Sequence, residues 1–184
     1  MGQIKSKKYT SKNQVEVVIR TVDLNDAEAY LNLGKSIMSE HIYSMTQPDE
    51  LSFTIEEEQK WLQSIIDNPN HLALVAEIKG KVVGQLDFSN GHKRRIAHTG
   101  EFGMGVYKDY RGNGVGSFLL KELVNWAQNN PTIDKVNLSV HSTNERAIMM
   151  YTKHGFQKEG LRTKDLKYSQ NEFVDTVLMG LFVG

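Results

Sequence analysis

The sequence predicts an α/β protein built on one mixed central sheet with helices on both faces. Three observations predict it. Short β-branched runs recur along the chain, amphipathic helical patterns fall between them, and the glycine-rich turn Arg111–Ser117 lies between a strand and a helix. At 184 residues with 39% hydrophobic and 24% charged residues, the composition suits one globular domain. We expect a polar arm at 1–14 followed by a single domain at 15–184.

The first strand is expected where the polar leader ends, at Val15–Val22, reading VEVVIRTV. Asp23 or Asn25 can cap a helix running to about Ser39. Gln47 and Pro48 break the chain, and Thr54 followed by Glu57 has capping-box spacing ahead of Trp61, Leu62, Ile65 and Ile66. His71–Ile78 and Val82–Phe88 flank Lys-Gly-Lys as a hairpin. Ile96–Tyr107 reads as a strand weakened by Gly100, Gly103 and Gly105. A helix from Val115 to about Trp126, a strand at Lys135–Val140, a short helix from Asn144 to Gly155 and a closing hairpin across Phe156–Phe182 complete seven strands and four helices.

Charge and composition exclude several classes. Lys plus Arg total 22 and Asp plus Glu total 22, so no net field gathers nucleic acid or anionic lipid. There is no cysteine, hence no thiolate nucleophile and no thiolate metal site. No apolar run reaches the ~18 residues of a membrane span, and the start lacks the apolar core of a signal peptide, so a cytoplasmic location is expected.

The chemistry concentrates at Arg111, Gly112, Asn113, Gly114, Val115, Gly116 and Ser117. Glycines let the backbone turn without Cβ clashes, and the first amides of a helix are free donors at its positive end, an arrangement that suits a pyrophosphate. A Walker A loop would need a lysine before Ser117, and a dinucleotide fingerprint would need a glycine where Leu119 stands.

Arg111, Gly114 and Gly116 resemble the signature of the GNAT family of N-acetyltransferases. Asn144, Ala147, Tyr151, Lys153, Gly155 and Phe156 resemble that family's downstream segment. The resemblance spans about Val15–Phe182, with residues 101–160 carrying the motifs. It implies a sheet splayed between Glu101–Tyr107 and Lys135–His141, its fourth and fifth expected strands. It also implies acetyl-CoA as cosubstrate, no metal, and an amine acceptor attacking the thioester directly. Homodimers are common among related proteins.

The same resemblance sets the backbone of Val106 and Tyr107 against pantetheine, with the Val106 amide as oxyanion donor. It sets the amides of residues 111–117 on the pyrophosphate, Asn144 near the pantetheine amide or a phosphate, and Tyr151 at the leaving sulfur. Loss of an amine proton needs a base, for which Glu101 on the splayed strand is the first candidate and His141 the competitor. Glu40, Asp49, Glu50, Glu56, Glu57 and Glu58 form an acidic cluster that suits a polyamine, although Glu56–Glu58 are also where helix-dipole capping places acids. A small amine, a polyamine and a protein N-terminus all stay open as acceptors, and a catalytically silent CoA-binding sensor is the rival class.

Overall fold

The structure is a computed structural model, which describes residues 2–40, 43–47, 50 and 52–184. Eight strands form one sheet: β1 (Lys7–Thr10), β2 (Glu16–Thr21), β3 (Leu72–Ile78), β4 (Lys81–Asn90), β5 (Thr99–Val106), β6 (Lys135–His141), β7 (Gln157–Lys167) and β8 (Phe173–Phe182). Their order across the sheet is β1-β2-β3-β4-β5-β6-β8-β7, antiparallel throughout except between β5 and β6. Four helices cover it: α1 (Ala27–Met38), α2 (Ile55–Ile66), α3 (Val115–Gln128) and α4 (Glu145–Lys153).

Strand β3 shows why the sheet needs cover on both sides. Leu72, Leu74 and Ala76 alternate with Ala73 and Val75, and all five are buried, a run that a one-sided sheet would not tolerate. One face packs on α3 through Leu119, Leu120 and Leu123. The other packs on α1 and α2 through Tyr30, Leu33, Leu62 and Ile65. At the expected capping box, the Thr54 hydroxyl accepts from the Glu57 N–H while the Glu57 carboxylate accepts from the Thr54 N–H. The expected hairpin turns through Lys79 and Gly80 at φ of 49° and 79°, the left-handed pair that suits the twist of its strands.

The count differs from expectation by one strand, because Lys7–Thr10 within the polar arm pairs with β2, Tyr9 opposite Val17. Tertiary contacts hold the strand and the residues just after it. The Tyr9 ring stacks on Phe118 at 4.5 Å, its hydroxyl donates to the buried Glu122 carboxylate, and the Lys12 N–H donates to the Asn113 carbonyl at 3.2 Å. Pro48 and Asp49 lie outside the described residues.

Candidate active site

Strands β5 and β6 run side by side only at Thr99–Glu101 opposite Lys135–Asn137. Beyond that point each stays hydrogen-bonded to its outer neighbour, β5 to β4 as far as Val106 and β6 to β8 as far as His141. Their inner edges therefore part, and a wedge opens through the sheet.

Ladder parity decides which backbone groups line it. In an antiparallel pair, hydrogen-bonded and non-hydrogen-bonded positions alternate. The Tyr107 N–H donates to the Val83 carbonyl at 3.0 Å and the Gly91 N–H to the Thr99 carbonyl, so odd-numbered residues of β5 bond to β4. Met104 and Val106 then turn their N–H and C=O groups away from β4, towards the wedge. Tyr107 differs: its N–H serves Val83 and its carbonyl accepts from the Tyr110 N–H at 2.9 Å, so both backbone groups are already engaged.

The glycine turn closes the open end of the wedge. Gly112 and Gly114 have φ of 85° and 96°, a region that excludes ordinary side chains. Val115 anchors the turn by burying its side chain against Gly84. A Cβ on Gly116 would lie 3.4 Å from Met150 Sδ, so glycine there lets α3 approach α4 closely. Among the described residues, the amides of Gly112, Asn113, Gly114, Val115, Gly116 and Ser117 have no protein acceptor, the first helical bond being Phe118 N–H to the Gly114 carbonyl.

Arg111 departs from that pattern. Its amide donates to the Lys108 carbonyl at 3.2 Å. Its two Nη atoms donate to the Glu40 carboxylate at 2.6 and 2.7 Å, and its Nε donates to the Val106 carbonyl at 2.8 Å. The side chain is thus committed within the protein. Arg146, on α4, was not singled out from sequence, yet its Nη2 lies 3.5 Å from the place a Cβ on Gly112 would occupy. Asn144 caps α4, its Oδ1 accepting from the Ala147 N–H at 3.2 Å, which leaves its Nδ2 as a donor.

Tyr151 is buried on the α3/α4 face, edge-on to Phe102 at 5.8 Å, and burial pushes its phenol up to about 12. Glu101 extends from the opposite face, exposed, where its Oε1 accepts from the Ser139 hydroxyl at 2.6 Å. His141 is on that face too, buried, with Nδ1 3.0 Å from the Tyr168 hydroxyl and Tyr43 packed edge-on. Burial holds its imidazole below the ordinary histidine range.

Asp87 on β4 shares the α1/α2 face and was also missed from sequence. The Tyr30 hydroxyl donates to its Oδ1 at 3.3 Å, and burial raises its carboxyl to about 6. Glu58 is raised as well, by its own burial and then by Asp87. The available signal was an acid inside the mostly apolar strand run VVGQLDF. Three of the six acids of the cluster are engaged elsewhere, Glu40 on Arg111, Glu50 on the Gln47 N–H and Glu57 on its capping box, while Asp49 lies outside the described residues. Among the described residues no group of acids and histidines could hold a metal, and no helix is long and apolar enough to cross a membrane.

Comparison with known proteins agrees with this architecture. The profile of the acetyltransferase (GNAT) family matches residues 39–156. The L-amino acid N-acetyltransferase AaaT of Escherichia coli is 30% identical over 89% of this chain and 96% of its own. A GNAT-family acetyltransferase of Streptococcus pneumoniae superposes with a TM-score of 0.86 at 28% identity, covering 91% of this chain and 99% of that one. A phosphinothricin acetyltransferase of Sinorhizobium meliloti, solved with acetyl-CoA, superposes with a TM-score of 0.80 over 96% of this chain and 90% of its own, at 18% identity.

Proposed function

Since the chain belongs to the acetyltransferase (GNAT) family and is an N-acetyltransferase, we propose that it passes the acetyl group of acetyl-CoA directly to the primary amine of a small α-amino acid or a close analogue. The observation carrying the cosubstrate assignment is the row of six unengaged amides at residues 112–117 beside the β5–β6 wedge. The acceptor class draws support from the E. coli relative, which this chain matches almost end to end. A polyamine is less favoured, because Glu40 and Glu57 are already engaged. Residues 15–184 form the catalytic unit, with 1–14 as its support.

In this reading the pyrophosphate sits on the 112–117 amides, with Arg146 adding charge and Asn144 Nδ2 reaching the pantetheine. Pantetheine lies along the wedge edge of β5 at Met104 and Val106, the Tyr107 backbone being engaged within the protein. The amine enters from the α1/α2 face, and Glu101 removes its proton, directly or through a water. The amine nitrogen bonds to the thioester carbon while the carbonyl oxygen gathers charge against the Val106 N–H. Collapse breaks the C–S bond, and Tyr151 protonates the departing thiolate. A phenol held near 12 keeps its proton at neutral pH, so its O–H is present to hydrogen-bond the sulfur and donate as the C–S bond breaks, the phenolate being reprotonated from solvent afterwards.

A panel of L-amino acids, polyamines and N-terminal peptides tests this, with free thiol release followed spectroscopically. Turnover on at least one L-amino acid above the polyamines is expected. Turnover confined to polyamines or peptides would overturn the acceptor class, and thiol release with no amine would overturn transfer itself.

A further inference from the structure

We propose that Glu40 is a positioning residue for acetyl transfer, acting through Arg111 to hold the Val106 backbone so that its N–H faces the thioester. The inference deepens the proposed function and rests on it, because it presumes that the Val106 N–H meets the reacting carbonyl.

Three contacts carry the inference. Arg111 spends its guanidinium fork on both oxygens of Glu40, at 2.6 and 2.7 Å, the bidentate geometry that a planar guanidinium holds rigidly. The same guanidinium then uses its remaining edge, Nε, on the Val106 carbonyl at 2.8 Å. The pair is sheltered, with side chains 31% and 20% exposed, so solvent competes only in part for these donors.

The Val106 carbonyl would otherwise be a free acceptor on the wedge edge, repelling a developing oxyanion. Capped by a cation, it turns from a liability into a fixed point, and the N–H of the same residue becomes the wedge-facing donor. Glu40 comes from the chain just beyond α1, 71 residues from Arg111 in sequence. It therefore ties the helix pair that covers one face of the sheet to the strand that lines the wedge. The first residue of the glycine-rich signature is thereby assigned to holding the wedge rather than to the phosphates.

The test compares the full chain with Glu40→Gln, Arg111→Lys and the double variant. It uses steady-state kinetics on the best amine of the panel, calorimetric binding of acetyl-CoA, and thermal melting. Glu40→Gln keeps the shape but loses the charge, and Arg111→Lys keeps the charge but loses the fork. Each is expected to lower kcat about tenfold, the scale of a misdirected oxyanion donor, with acetyl-CoA affinity within about twofold of the parent. The double variant should fall no further than either single one, since the two side chains act as one unit.

An unchanged kcat in Glu40→Gln would overturn the proposal. So would tighter acetyl-CoA binding at constant kcat, which would make Arg111 a phosphate ligand that Glu40 merely restrains. A loss of kcat that only tracks a lost folded fraction would overturn it too. Wild-type turnover with undiminished Glu40→Gln activity defeats the positioning role alone, whereas a wild type inactive on every amine defeats the proposed function with it.

Discussion

Tyr151 has no hydrogen-bond partner for its phenol among the described residues, so its hydroxyl can be deleted without stranding another polar group. Burial beside Phe102 and Phe156 keeps it protonated with a pKa of about 12. Tyr151→Phe is expected to lower kcat by about 10- to 10³-fold, the range of a lost general acid, while calorimetric affinity for acetyl-CoA stays put. An unchanged rate would remove Tyr151 from the chemistry. Asp87 yields a pH prediction. Its carboxyl sits at about 6 against an unfolded value near 4, so the folded state holds that proton more tightly than the unfolded chain does. The resulting stabilisation is complete below about pH 4 and disappears as pH rises through about 6, a change of roughly 3 kcal/mol. Asp87→Asn should flatten that segment of the melting-temperature profile and raise the melting temperature at pH 7; a profile identical to the parent's would refute the assignment. Residues 112–117 were legible because a glycine turn and a helix start are local features. Asp87 and Glu40 were not, since their roles depend on Tyr30 and Arg111, 57 and 71 residues away.

Strand β1 is the element that sequence patterning missed, and the reason is physical. Lys7–Thr10 carries a single aromatic among polar side chains, so no alternation marks a buried face, and its order comes from partners remote in sequence. Those partners give it work to do. Tyr9 stacks on Phe118, the Phe118 ring reaches within 3.0 Å of a Cβ position on Gly114, and the Lys12 N–H fixes the Asn113 carbonyl. The arm thus braces the glycine turn at two points, Phe118 and the Asn113 carbonyl. Tyr9→Ala is expected to weaken acetyl-CoA binding by about three- to tenfold, up to about 1.4 kcal/mol. Tyr9→Phe keeps the stack, loses the bond to Glu122 and should bind nearly as the parent does. Equal affinity for Tyr9→Ala and the parent, measured by calorimetry, would leave β1 a passive edge strand. The helices were easier to read, because the 3.6-residue apolar stripe of α3 and the capping box of α2 are encoded within each segment.

At the scale of the molecule, the splay follows from how the sheet divides its hydrogen bonds. Strand β5 is committed to β4 along its length and β6 to β8 along its own, so the two halves twist independently once their three-residue parallel contact ends. Resemblance anticipated the parted strands at Glu101–Tyr107 and Lys135–His141, whereas glycines in β5 alone signalled only irregularity. The wedge leaves the amides of Met104 and Val106 and those of residues 112–117 without strand or helix partners, while α1 and α2 cover one face and α3 the other. A ligand pairing with that edge acts on these amides and spares the rest of the sheet. Hydrogen exchange with and without acetyl-CoA reads this directly. If exchange at 104, 106 and 112–117 requires ligand release, saturation at 100 times Kd should slow it by about 100-fold. The β2–β3 ladder, bonded at Val18–Thr21 against Leu74–Glu77, should change little. Slowing spread evenly over the sheet would indicate global stabilisation only, and unaltered exchange at 112–117 would place the pyrophosphate elsewhere.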